Sequence, residues 1–189
     1  MSAKWMIILI AVVVSLDQVT KYMTKSMMTL GQSIPVWGDF FRFTYVENPG
    51  MAFGVRIDNT VVFMGLSIFA AIMVFYYLYR FRKHYWPIQL ALVLISAGAI
   101  GNLFDRFIYG KVIDFLDFEF FDISIPAFNL FGMQFSGYSM TRWPVFNIAD
   151  TAVSTGMILI FLYLIIYGDP LREQANNTAL NESSSNVSG

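Results

Sequence analysis

The sequence predicts an all-α membrane protein of four transmembrane helices with a small β element outside the bilayer. Four stretches, 5–23, 60–79, 87–104 and 148–167, are apolar over a span's length, about 20 residues in a helix. Hydrophobic residues make up 57% of the 189 and charged residues only 13%, where a soluble domain carries about 25%. The link between the second and third stretches collects Arg80, Arg82, Lys83 and His84, as short cytoplasmic loops do.

Each element follows in order. The first stretch begins like a secretory leader, with Lys4 and an apolar run. No small-residue cleavage site follows, and "SLDQVTKYM" continues instead, so it reads as a retained helix. The basic link then places both termini in the cytoplasm and the two long connections, 24–59 and 107–147, outside. In the first connection Phe41, Phe43 and Tyr45 alternate with Arg42, Thr44 and Val46, which is strand periodicity. A sheet on the membrane surface suits it, anchored by Trp37, Phe40 and Phe41. The second connection is long and aromatic, and both strands and a short amphipathic element are open for it. Its phenylalanines place it at an interface, and its position between two aspartates predicts a lid over them. Residues 1–168 form one domain; 169–189 is a polar, low-complexity tail that reads as disordered.

The chemistry is narrowed by what is missing. The absence of cysteine excludes thiol nucleophiles and thiolate metal sites, and a single histidine, His84 in "RFRKHYW", argues against a His-based triad or a multi-His metal site. A formal charge of −1 leaves no nucleic-acid footprint. Carboxylates remain. Asp114 in "VIDF" and Asp150 in "FNIAD" adjoin apolar segments, where an ionisable group is costly and usually functional. Two converging carboxylates share one proton, one serving as base and the other as acid. Asp17 and Lys21 are four apart and pair on one helix face. Asn102, Asp105 and Arg106 share a turn, and Asn147 suits the N-cap of the last helix with Asp150 three residues on. A purely structural ion pair explains Asp17 and Lys21 equally well. Asp105 beside Arg106 reads more readily as structural than as catalytic.

These residues resemble the lipoprotein signal peptidases, the signal peptidase II family. The resemblance covers about residues 5–167 through "LDQVTK", "ENPGMAFG", "GAIGNLFDR", "VIDF" and "FNIADTAV", in that order. It implies an aspartyl endopeptidase of the bacterial inner membrane with Asp114 and Asp150 as the catalytic dyad. Asn48, Gly50, Asn102, Asp105, Arg106 and Asn147 would line or support the site, and Asp17 and Lys21 would brace it. The substrate would be a prolipoprotein cleaved just before a lipobox cysteine carrying diacylglycerol. Membrane lipid is the other partner; no cofactor or metal is called for. The implied fold is a four-helix bundle with an extracytoplasmic β-cradle and a short outer amphipathic helix.

Three departures stand out. Met51 occupies a position where the family often has alanine. The connection between the two aspartates carries an aromatic insert. Within it, "PAFNLFG" nearly copies "PVFNIAD", but Gly132 stands where the aspartate should be, so the site is assigned to Asn147 rather than Asn129. Rival classes fare worse: no internal repeat marks a transporter, and the Gly-x-Gly-Asp motif of another intramembrane protease class is absent.

Overall fold

A computed structural model describes residues 1–52, 55–56, 60–83, 85–130, 133–135 and 138–168. Helix α1 is Ala3–Met27, α2 is Thr60–Arg80, α3 is Trp86–Tyr109 and α4 is Ile148–Tyr167. Strands β1 (Ser33–Trp37), β2 (Phe41–Asn48), β3 (Met51–Ala52) and β4 (Val55–Arg56) fall between α1 and α2. Strands β5 (Val112–Phe118), β6 (Ile123–Ile125), β7 (Phe128–Leu130), β8 (Met133–Phe135) and β9 (Tyr138–Met140) fall between α3 and α4. Helices α1, α3 and α4 are long and apolar enough to cross a membrane; the apolar part of α2, Met64–Arg80, is shorter. The chain is a multi-pass membrane protein, and side chains such as Ile7, Ile165 and Ile166 stay exposed on its helices.

Helix α3 is the hub, packing against α1, α2 and α4. Its approach to α4 depends on glycine. A Cβ built on Gly98 would lie 2.3 Å from the carbonyl oxygen of Ala149, and one on Gly156 would lie 2.6 Å from that of Ala91. Small residues let membrane helices close to this distance. The third predicted span ends at 104, but α3 runs on to Tyr109. Gly110 stops it there, with φ of 71° and its N–H donating to the Arg106 carbonyl at 3.0 Å. Asp105 and Arg106 are therefore helix residues, close to the strand that carries Asp114.

The predicted small sheet is present. Strands β1, β2 and β5 form an antiparallel sheet in that order, with Val46 opposite Asp114 and Asn48 opposite Val112. A bulge shifts the register between Phe43 and Val46. Leu116 and Phe146 exchange backbone hydrogen bonds, Leu116 N–H to Phe146 at 2.7 Å and the return at 3.0 Å. That bridge ties the entry of α4 to β5. In the second connection β6 pairs with β9 and β7 with β8, so the aromatic insert is a β-hairpin. Among the described residues neither connection contains a helix, and the short outer amphipathic element is not found there. The insert's strands are runs of three residues each, apolar at both ends and polar between, broken by Pro126 and by glycines, and too short to build a helical face. His84, Phe53 and the 169–189 tail lie outside the described residues.

The end of the bundle opposite the sheet gathers the amino terminus, the α2–α3 link and the end of α4. The Met1 ammonium donates to Gln89 Oε1, Gln89 Nε2 donates to the Arg82 carbonyl at 3.2 Å, and Tyr85 stacks on Tyr167.

Candidate active site

Asp114 is the third residue of β5 and only 2% exposed. Its Oδ1 accepts a hydrogen bond from Asn147 Nδ2 at 2.7 Å, and its Oδ2 accepts one from Asn48 Nδ2 at 3.2 Å. Asn48 is aimed by its own turn. Gly50, at φ of 124°, donates its N–H to Asn48 Oδ1 at 3.0 Å, leaving the amide nitrogen for Asp114.

Asp150 sits in the first turn of α4, where Asn147 is the N-cap. Asn147 Oδ1 accepts from the Asp150 N–H at 2.9 Å, and Asp150 Oδ2 accepts from the Asn147 N–H at 3.3 Å, a reciprocal capping box. The other carboxylate oxygen, Oδ1, accepts from Asn102 Nδ2 at 2.7 Å. Asn102 and Asn147 are themselves joined, Asn147 Nδ2 donating to Asn102 Oδ1 at 3.1 Å. Two amides thus cross-link the two carboxylates.

Beneath them lies a buried charge cluster. Lys21 Nζ meets Asp17 at 2.8 Å and Asp105 at 2.9 Å, and donates to Asn102 Oδ1 at 3.1 Å. An ammonium has three protons and no acceptor, so it is saturated. Because Asn102 Oδ1 receives this proton and that from Asn147, Asn102 must present its NH₂ to Asp150. The cluster also pins backbone. Asp17 Oδ1 accepts from the Ala149 N–H at 2.9 Å, at the start of α4, and Asp105 Oδ2 accepts from the Ile113 N–H at 3.1 Å, beside Asp114. Gln18 links Asp17, Asp105 and the Gly101 carbonyl.

A cavity of about 620 Å³ opens on this assembly. Asn48, Asn102, Arg106, Asp114 and Asp150 form its polar wall, and Val112, Phe120, Trp143, Phe146, Val153 and Ile158 its apolar one. Burial, and next the negative charge of Asp150, push the Asp114 carboxyl up to about 7, against the opposing hydrogen bonds from Asn48 and Asn147 and the charge of Lys21. A proton is therefore held on Asp114 at a pH where a solvated aspartate has none.

All the residues singled out from the sequence fall in this one region: Asp114, Asp150, Asn48, Asn102 and Arg106 at the cavity, with Asn147, Asp17, Lys21, Asp105 and Gly50 behind it. Their pairing is partly different. Asp105 pairs with Lys21 of another helix, since strand β5 closes over α3 and draws its carboxylate inward. Gln18 had no assigned part, and nothing in its local spacing marks one. Asp117, an acid of the same connection, is 5% exposed, accepting from Thr44 Oγ1 at 2.5 Å and Arg142 Nε at 2.7 Å. Asn129 is an exposed residue of β7 facing Gln134 in register, remote from the carboxylate cluster in its bonding. Among the described residues of the connection expected as a lid, Phe120 and Trp143, at its root, line the cavity.

Fold and site together define a membrane-embedded protein with two amide-linked aspartates at a half-open cavity. Residues 9–166 match the family described as signal peptidase (SPase) II. A lipoprotein signal peptidase of Moorella thermoacetica is 36% identical over 161 residues, 85% of this chain and 92% of that protein. One from Pelotomaculum thermopropionicum is 39% identical over 158 residues, 82% of this chain and 88% of that one. A bacterial membrane enzyme solved by the in meso method at 1.9 Å superposes with a TM-score of 0.67, at 33% identity over 87% of this chain and 95% of that one. The chain belongs to the signal peptidase II family and is an aspartic endopeptidase.

Proposed function

We propose that Asp114 and Asp150 are the catalytic pair with which this enzyme removes signal peptides from prolipoproteins. The observation that carries the reading is the amide cross-link. Asn102 and Asn147 hold one oxygen of each carboxylate at 2.7 Å, at the wall of a cavity of about 620 Å³. Such a pair titrates as a unit and keeps one proton. The ionised partner takes a proton from water as it attacks the scissile carbonyl, while the protonated partner donates to the carbonyl oxygen. Collapse of the tetrahedral intermediate breaks the C–N bond, the leaving amine takes up a proton, and the dyad returns to one proton. The raised Asp114 pKa supports a shared proton at neutral pH. Asn48 and Arg106 on the polar wall suit the substrate backbone. The apolar wall, running down α4 through Val153 to Ile158, suits the signal helix and the diacylglyceryl chains of a modified lipobox cysteine, with cleavage just before it.

The setting we infer is the bacterial inner membrane, with the site near the outer leaflet and both termini in the cytoplasm. The basic residues Arg80, Arg82 and Lys83 lie at the end that also holds Met1 and Tyr167, opposite the sheet. This agrees with the positive-inside rule. The test is cleavage of a diacylglyceryl-modified lipobox peptide by the purified protein, beside the same peptide unmodified. Cleavage only of the lipidated peptide is expected. Equal turnover of both would make the enzyme a general membrane protease.

A further inference from the structure

Arg142 stands two residues past β9, where the chain turns back toward α4. Its side chain does not line the cavity, yet its guanidinium joins three separate pieces of backbone. Nε donates to Asp117 Oδ1 of β5 at 2.7 Å, and Nη2 to the Asp117 carbonyl at 3.5 Å. Nη1 donates to Glu119 Oε2, just past β5, at 2.6 Å, and to the Asp39 carbonyl, between β1 and β2, at 2.8 Å. Asp117 is held from the other side by Thr44 Oγ1 of β2 at 2.5 Å. An arginine suits this post, because its donors lie in one rigid fork that meets several acceptors at once, where a lysine is a point charge. Bonds onto a carboxylate are also the strong kind, and the Asp117 side chain is only 7% exposed.

The four residues that follow Arg142 do line the cavity: Trp143, Pro144, Val145 and Phe146. Their run lies along β5, with the Trp143 N–H donating to the Phe118 carbonyl and the Phe146 N–H to that of Leu116, both at 3.0 Å. Rings complete the wall. Phe118 stacks on Phe146 and on Phe120, with centroids 5.8 and 5.5 Å apart, and Phe120 meets Trp143 edge to face at 6.2 Å. Phe40, next to Asp39, packs edge to face on Phe118 and Phe120. Arg142 therefore ties together the bases of this ring cluster: the Asp39–Phe40 turn, the end of β5 that leads to Phe120, and the start of the Trp143–Phe146 run. Phe120, Trp143 and Phe146 face the same cavity as Asp114 and Asp150, so their placement sets its apolar fit.

We propose that Arg142 is a positioning residue for substrate binding, fixing the Phe120, Trp143 and Phe146 wall against the sheet while touching neither substrate nor dyad. This rests on the function proposed above, in which the substrate occupies this cavity. Cleavage by the parent enzyme tests that function; the comparison of variants with the parent tests Arg142. Arg142→Lys keeps a cation for Asp117 but cannot span the other acceptors. With the lipidated lipobox peptide, well below the melting transition, its KM should rise about 10-fold with kcat within about twofold, the pattern of lost binding common to ground and transition states. Glu119→Lys, at a side chain 44% exposed, repels the same guanidinium and should raise KM in the same direction. Thr44→Val is the structural control: it removes a bond to the same buried carboxylate, lowers the melting temperature and should leave KM at the parent value. Unchanged KM in both Arg142→Lys and Glu119→Lys would overturn the proposal. So would a fall in kcat at parent KM, or a rise in KM with Thr44→Val as large as that with Arg142→Lys. A second readout needs no catalysis. In a chain carrying Trp5→Phe, Trp37→Phe and Trp86→Phe, Trp143 is the one tryptophan left, and Arg142→Lys should increase its quenching by acrylamide. Quenching equal to that of the same chain with Arg142 intact would show the wall standing without the guanidinium and overturn the proposal.

Discussion

Replacing Lys21 by methionine removes the only cation that touches Asp17 and Asp105 in the buried cluster among the described residues, at 2.8 and 2.9 Å. The stem is kept, so little packing volume is lost, and the two carboxylates remain in place without their charge partner. Breaking a buried pair by deleting one member costs about 3–5 kcal/mol, because the survivor stays desolvated. For a chain of this size each kcal/mol is about 2–4 °C, so the melting temperature should drop by roughly 6–20 °C. Differential scanning fluorimetry in detergent micelles measures it. Lys21→Met combined with Asp17→Asn and Asp105→Asn should recover much of the loss, since the stranded charges are then gone. Below the transition, Lys21→Met should also cleave more slowly, because Asn102 Oδ1 then keeps the Asn147 donor but loses the ammonium, so the amide is held less firmly with its NH₂ toward Asp150. A melting temperature within about 2 °C of the parent would refute the view that the ammonium holds the cluster together.

Further outcomes follow from the same geometry. Asp114→Asn and Asp150→Asn should each lower kcat by about 100- to 10,000-fold with insertion intact; appreciable turnover by either in a detergent assay would remove that residue from the dyad. With its carboxyl raised to about 7 from 3.8, Asp114 binds more protons folded than unfolded between those values, so its part of the stability is lost as pH rises from about 4 to 7. Thermal melts at pH 5 and 8 should therefore differ less in Asp114→Asn than in the parent, and equal differences would contradict the raised value. Gly98→Ala places a Cβ 2.3 Å from a backbone oxygen of α4 and should cost about 1–3 kcal/mol, whereas Gly65→Ala, with nothing within 4 Å, should be neutral or stabilising. Asp117→Asn should reduce stability by about 1–3 kcal/mol through its bonds to Thr44 and Arg142 while sparing kcat; a catalytic loss as deep as that of Asp114→Asn would mean the wrong carboxylate was chosen.

Much of the site was legible where the information is local. Asp17 and Lys21 pair because four residues make one turn, and Asn147 caps α4 because Asp150 stands three residues later to close the box. The alternation of Phe41 to Val46 announced β2 for the same reason. The insert was ambiguous because its apolar and polar residues lie in short runs broken by Pro126 and two glycines, too short for a period to declare itself.

The sequence by itself determined the apolar stretches, the outward strand and the two aspartates, since hydropathy and period are properties of neighbours along the chain. Tertiary structure decided which partner each polar group receives. Lys21 bonds Asp105 from 84 positions away, Asp17 holds the start of α4 through Ala149, and Asp117 is buried under Arg142. Glycines let α3 and α4 touch, and the Leu116–Phe146 bridge brings β5 beside α4. Inside an apolar interior a polar side chain must take whichever donor or acceptor the packing places nearest, and that choice belongs to the folded arrangement of distant segments.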